Sequence, residues 1–314
     1  MAKRVAIGIA FLFVLMFGDA AFVVGSAYLE HQRLVAEEIL TYPPPGMMVE
    51  AGEGRIHVHT LGAGEPTIVL MSGLGTSAPV LDFAPLTRHL ADNFRVAAVE
   101  RAGYGWSDIT GAPRDLATVL EETRTALRLA GETPPYVLMP HSLAGLEALH
   151  WAREHPNEVA AIVGLDPLVP GYLERGGEHA SLSPMVTLLA RTGLMRQGED
   201  VFERNFPAMV RGVLSKQQAV AARALFMRRT NTANMREEVR ALEANARHLR
   251  EVGPPNVPLL LFVSGDGTPI WKDSLTDYAQ LAGGTAQIVE ASHYPHLDIP
   301  GMIARTTTGF IEAR

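Results

Sequence analysis

The chain has 314 residues, 47% of them apolar and 19% charged, which is enough apolar matter for a sizeable core and rules out a disordered tail. Its formal charge is −7, from 27 Lys and Arg against 34 Asp and Glu, and no Lys/Arg-rich run follows residue 4, so a phosphate-dominated nucleic-acid partner is excluded. Cysteine is absent, which removes disulfide scaffolds, thiolate metal sites and a thiol nucleophile.

Lys3 and Arg4 precede residues 5–17, a stretch without charge; Asp19 interrupts it and apolar residues resume over 20–28. As one helix, residues 5–28 would extend roughly 36 Å at about 1.5 Å per residue, enough to cross a bilayer. Asp19 opposes that span, at about 2.5–3.5 kcal/mol for a mid-helix carboxylate. Residues 5–17 also suit the apolar region of a signal peptide, with small-residue cleavage sites at 18–20 or 25–27. A core helix is the third reading. The first two both put the remainder outside the cytoplasm, membrane-anchored or secreted, because the positive charges come first. Residues 1–29 are thus expected as an anchor or signal segment. Residues 30–47 are expected as a linker, amphipathic over 30–40 and stiffened by Pro43, Pro44 and Pro45.

Beyond the linker, residues 55–61 alternate as a half-exposed strand, which accounts for His57 and His59 better than a metal site does. Continuous apolar runs follow at 66–71, 94–99, 136–139 and 159–165, the pattern of strands buried on both faces. Helix-period segments lie between them at 116–130 and 143–154, which implies a parallel sheet with helices on both faces. The alternation stops at Asp166-Pro167. Only helical patterns follow, such as 216–229 and 232–252, until strands return at 257–263 and 285–290 and a last helix at 299–313. The expected organisation is an α/β core over 48–166 and 251–314, interrupted by a helical cap at 167–250. Asp298 is expected to cap the last helix. Met185, Leu188, Leu189, Leu194, Met195, Met209 and Met227 either line a pocket or form core between cap helices.

The chemistry centres on residues 137–145, where a buried strand runs into Ser142 and then a helix. On such a turn a serine stands exposed above the sheet as a nucleophile; the alternative is an ordinary helix-capping Ser. Small residues two positions either side let strand and helix approach. Those positions hold Pro140 and Ala144, where Gly-x-Ser-x-Gly is the usual pattern.

Four landmarks in order make the chain resemble the α/β-hydrolase superfamily from about residue 48 to 314. They are Met71-Ser-Gly-Leu-Gly75, Glu100-Arg-Ala-Gly-Tyr-Gly-Trp-Ser-Asp108, His141-Ser142-Leu143 and Ala291-Ser-His-Tyr-Pro-His-Leu297. Departures from the family pattern are Ser72 for His, Glu100 for Asp, Pro140 and Ala144 for Gly, and Ser292 for Gly. The resemblance implies an α/β-hydrolase fold, a mostly parallel central sheet with helices on both faces and an inserted all-α cap.

It also implies roles. Ser142 would attack a carbonyl to form an acyl-enzyme, with His293 as base and His296 as its rival. The backbone amides of Leu74 and Leu143 would stabilise the oxyanion. Two positions compete for the acid: Asp166, after the strand that follows the nucleophile helix, and Asp266, after the 257–263 strand. The implied activity is esterase- or lipase-like hydrolysis of a carboxylic ester or related acyl bond, with aminopeptidase and carbon–carbon hydrolase chemistry on the same scaffold. A Ser at 142 disfavours the Asp-dependent epoxide hydrolases and dehalogenases. No cofactor or metal is implied, and the expected partners are a small, apolar acyl substrate and a membrane contacted through residues 5–28. The competing reading is a catalytically silent protein of this fold that binds an apolar ligand under the cap.

Overall fold

The computed structural model describes the backbone of residues 2–314 and the side chains of residues 16 and 18–314. Its first element is one long helix, α1 (Ala2–Thr41). Where the sequence suggests a linker from residue 30, the helix continues, because its later turns have a partner: Arg196 forks onto Glu38 at 2.7 and 2.8 Å and meets His31 Nδ1 at 2.9 Å. Of the expected apolar segment 5–28, residues 5–15 and 17 lie outside the described side chains. Among the described residues no helix is long and apolar enough to cross a membrane, so the expected span finds no support there.

A sheet of eight strands follows, in the order β1-β2-β4-β3-β5-β6-β7-β8. β1 (Met47–Ala51) and β2 (Gly54–Leu61) form an antiparallel edge. β3 (Thr67–Met71), β4 (Val96–Glu100), β5 (Tyr136–Ser142), β6 (Val159–Pro167), β7 (Leu259–Ser264) and β8 (Thr285–Val289) run parallel. The edge strand β1 has no counterpart in the sequence reading, since its five residues are too few and too mixed to show a period.

The apolar runs are two-faced. Ile68, Leu70, Val137 and Met139 pack with Leu86 of α3 (Ala84–Leu90), which follows the short α2 (Pro79–Asp82). Val69 and Leu138 point the other way, onto Leu120 of α4 (Leu116–Leu129) and Trp151 of α5 (Ala144–Glu154). Side chains alternate along a strand, so a run without polar interruption is what two covered faces require. Each fully buried Leu or Val in these layers contributes roughly 1.5–3 kcal/mol. Pro140, within β5, pairs with Met71, the last residue of β3, so its missing N–H falls where that ladder ends.

Between β6 and β7 the regular elements are all helical. They are α6 (Pro184–Thr192), α7 (Val201–Asn205), α8 (Pro207–Val210), α9 (Lys216–Arg229) and α10 (Ala233–Val252), with a 3₁₀ turn at Leu194–Gln197. After β7 come α11 (Pro269–Leu281), α12 (Pro295–Asp298) and α13 (Pro300–Glu312). The carboxyl ends of β5, β6 and β7 and the loop after β8 therefore converge under the cap, at the edge where open α/β sheets bind ligands.

Candidate active site

Ser142 closes β5 with φ at 51°, a left-handed conformation unusual for a residue with a side chain. Helix α5 begins two residues later. Such a turn needs room on both sides. A Cβ on Gly73 would stand 2.8 Å from the Ser142 Cβ, and one on Gly145 would stand 2.3 Å from the carbonyl oxygen of Leu168. The small residue that brings helix and strand together is thus Gly145, three positions past the serine, not only Ala144.

Ser142 Oγ lies 3.0 Å from His293 Nε2, and His293 Nδ1 lies 2.6 Å from Asp166 Oδ2. Asp166 is fully buried, also with a left-handed φ, at 50°. It accepts three further hydrogen bonds: from the Ser264 amide at 2.7 Å, the Ser264 hydroxyl at 2.8 Å and the Trp271 indole at 2.8 Å. Burial alone would raise its pKa; the bond and charge of His293, with the Ser264 and Trp271 donors, hold it below the ordinary carboxylate value. Of the two acids the sequence leaves open, Asp166 is the one in contact with His293. Asp266 is exposed on the wall of the adjoining cavity and makes no hydrogen bond to the imidazole.

His296 is buried, with its ring 4.9 Å from Phe83 and 4.7 Å from His141, and its Nδ1 has no hydrogen-bond partner among the described residues. Burial and the neighbouring His293 push its pKa down to about 3, so it packs as a neutral ring. His141, buried beside it, bonds the His293 carbonyl through Nε2 at 2.8 Å and so fixes the backbone that carries the imidazole. The loop is held from the cap as well. Arg211 reaches the Ser292 hydroxyl at 2.6 Å and pairs with Asp298, which in turn accepts the Ser292 amide at 2.8 Å. Asp298 therefore clamps the histidine loop instead of capping α13, whose first turn has no side-chain cap.

Leu74 and Leu143 line the same cavity as Ser142, a space of about 730 Å³ whose apolar wall includes Leu168, Tyr172, Leu173 and Leu242 and whose polar side carries Arg211, Glu178 and Asp266. The sequence leaves two readings for the seven Met and Leu residues, pocket lining or core between cap helices. None of them lines this cavity: Met195 and Met227 are core, and Met185 and Leu188 are exposed. His57 is buried rather than half-exposed, paired at 2.9 Å with Glu100, which also accepts the amides of Val80 and Trp106. Sequence spacing carried no signal for Ser264, Trp271 or Arg211, whose partners lie 98, 105 and 81 positions away. Among the described residues no group of His, Asp and Glu is arranged to hold a metal.

A family model described as alpha/beta hydrolase fold matches residues 66–299. The uncharacterised protein YbdG of Bacillus subtilis is 38% identical over 145 residues, 46% of this chain and 45% of that one. The pimeloyl-[acyl-carrier protein] methyl ester esterase of Xanthomonas oryzae pv. oryzae is 36% identical over 102 residues, 32% of this chain and 37% of the esterase. The matches thus span less than half of these curated relatives. A putative epoxide hydrolase mutant of Pseudomonas aeruginosa superposes with a TM-score of 0.70 at 18% identity, over 85% of this chain and 95% of that one. The enol-lactonase of Burkholderia xenovorans superposes with a TM-score of 0.60 at 20% identity, over 85% and 100%. These likenesses concern the fold.

Proposed function

The chain belongs to the α/β-hydrolase fold family, and from that premise we propose that it is a serine hydrolase that cleaves a carboxylic ester or related acyl bond. The observation that carries the reading is the continuous hydrogen-bonded line from Ser142 Oγ through both nitrogens of His293 to the buried Asp166. In this mechanism Ser142 attacks the acyl carbon while His293 Nε2 takes the hydroxyl proton. Asp166 fixes the tautomer by accepting Nδ1–H and stabilises the imidazolium that forms. The tetrahedral oxyanion is received by the amides of Leu74 and Leu143. His293 then returns the proton to the leaving alcohol, and water releases the acyl group by the same steps in reverse order.

The leucine wall of the cavity suits an apolar substrate portion of small-ligand size. The partial likeness to a methyl ester esterase favours an ester over other acyl bonds. By the same proposal the chain is tethered to, or exported across, a membrane. The support is Lys3 and Arg4 ahead of the uncharged 5–17 run, together with the exposure of residues 18–26 of α1, including Phe22 at 76%.

The test is intact-mass and peptide mapping of the full chain after fluorophosphonate treatment. One adduct on Ser142, absent in His293→Ala, is the expected result. A folded protein without an adduct would reject the enzyme and favour a silent ligand-binding protein.

A further inference from the structure

A second buried polar cluster lies beside the site and takes no part in the chain from Ser142 to Asp166. Its centre is Arg101, 3% exposed. Nη1 donates to the Ser72 carbonyl at 2.6 Å and lies 3.3 Å from Glu147 Oε2, while Nη2 makes a longer contact, 3.5 Å, to the Gly73 carbonyl. Nε donates to Glu238 Oε1 at 3.0 Å, and Nη2 reaches Glu238 Oε2 at 3.3 Å. The Tyr104 hydroxyl also donates to Glu238, and the Arg101 guanidinium lies 4.4 Å from the centre of the Tyr104 ring.

These contacts bear on the oxyanion donor. The Gly73 carbonyl and the Leu74 N–H belong to one peptide, and a trans peptide points the two in opposite directions. Arg101 draws the carbonyls of Ser72 and Gly73 to its own side, which turns the Leu74 N–H to the other. Leu74 and Ser142 line one cavity that Arg101 does not line, and the Gly73 position abuts the Ser142 Cβ. A cation on the carbonyl also polarises the peptide and strengthens its N–H as a donor. The same guanidinium touches Glu147 of α5, the helix whose start supplies the Leu143 amide.

Glu238 comes from the cap. It lies on α10, one turn before Leu242, and residues four apart share a helix face. Leu242 lines the substrate cavity. The helix that lays Leu242 against a substrate is thereby the helix that holds Arg101 by Glu238.

We infer that Arg101 is a positioning residue for the Leu74 oxyanion donor, set by Glu238, so that seating of cap helix α10 and assembly of the oxyanion site are one event. This rests on the serine-hydrolase reading. It separates two functions of the cap, holding substrate and completing the site, and assigns the second to a charge cluster the substrate never touches.

The experiment uses the full chain with p-nitrophenyl butyrate and a fluorophosphonate. Losing an oxyanion donor costs ~10²–10³ in rate, and misdirecting one costs a part of that. Arg101→Lys and Glu238→Gln are expected to lower kcat and labelling rate by roughly tenfold or more with KM within about threefold. A boronic acid that mimics the tetrahedral adduct loses affinity in parallel. Tyr104→Phe, which leaves both charges in place, is expected to give a smaller loss of the same kind, and it serves if the charge variants fold poorly. A role in cap packing alone would instead raise KM and leave kcat as in the wild type, with boronic-acid affinity falling only as far as KM rises, which overturns the inference. Wild-type protein that neither hydrolyses nor labels overturns the underlying reading too, and that result is separate because it appears without any substitution.

Discussion

Two carboxylates are withdrawn from water to nearly the same depth and meet opposite fates. Asp166, at the end of β6, and Asp82, at the end of α2, are 0% and 2% exposed. Asp166 accepts four hydrogen bonds and is held below its ordinary pKa. Asp82 has one oxygen without a partner among the described residues; burial pushes it up to about 7 against the opposing pull of Arg211 and the Ala208 amide. Depth therefore does not decide charge; the supply of donors does. The end of β6 is built for an anion at neutral pH, and the buried end of α2 is built for something closer to a neutral acid.

The largest expected effect comes from replacing the anion that this comparison singles out. Asp166→Asn keeps the size of the side chain but presents an amide where His293 Nδ1–H needs an acceptor. The fluorophosphonate rate and kcat are expected to fall by up to about 10⁴, the loss that a wrong imidazole tautomer causes. Asp266→Asn, on the exposed wall, is expected to stay within about twofold. Equal losses in the two variants would break the assignment, and stopped-flow labelling of both measures it directly.

That comparison also marks how far the sequence could be read. Ser142 and the two candidate acids were legible because each ends or follows a strand whose apolar run betrays burial on both faces, whereas His293 follows the half-exposed edge strand β8 and was legible only through the resemblance of its loop to the family's. The choice between the acids was not, because it depends on which loop turns toward His293. Asp166 reaches it through a left-handed φ of 50° at the end of β6. The three other donors to Asp166 come from Ser264 and Trp271, about a hundred positions on, beyond the reach of any local period. That the helix runs on to Thr41, into the stretch expected as a linker over 30–47, was not legible for a related reason. It is held there by Arg196, a partner 158 positions from Glu38. Local pattern gives the strands and helices; the donors that set charge at Asp166 arrive from the neighbouring strand β7 and the helix after it, which are close in space and distant in sequence.

A smaller effect tests the other half of the comparison through stability. Asp82 binds its proton more tightly folded than unfolded, with a pKa moved from 3.8 to about 7. Native stability then falls as pH rises from about 4 to 7 and is level above. About three units at ~1.4 kcal/mol each set an upper limit near 4 kcal/mol for that loss. Asp82→Asn escapes it, so its advantage over the wild type is expected to be absent at pH 4, to grow through pH 7 and to reach ~1–3 kcal/mol at pH 8. Thermal melts at these pH values measure it as a Tm gain of several degrees. Parallel curves for the two proteins would mean that Asp82 is ionised in the fold after all.

The finest adjustment removes one of the four donors at Asp166 and leaves the rest. Trp271→Phe deletes the indole N–H at 2.8 Å but keeps an aromatic ring beside Tyr172 and His293, whose centroids lie 4.7 and 5.4 Å away. A hydrogen bond to a charged group contributes about 1.5–3 kcal/mol, and its loss moves the folded pKa of Asp166 upward, toward the ordinary value. A group with a depressed folded pKa contributes stability above its unfolded pKa and loses it as pH falls through the folded one. The variant is therefore expected to match the wild type in pH slope near neutrality, with a severalfold lower labelling rate, and to lose its smaller Asp166 contribution at a higher pH on the acid side. Urea melts between pH 3 and 7, read beside labelling rates at pH 7, separate the two effects. An unchanged acid limb would show that Ser264 and His293 suffice to hold the carboxylate, and that the indole serves only to pack against the imidazole.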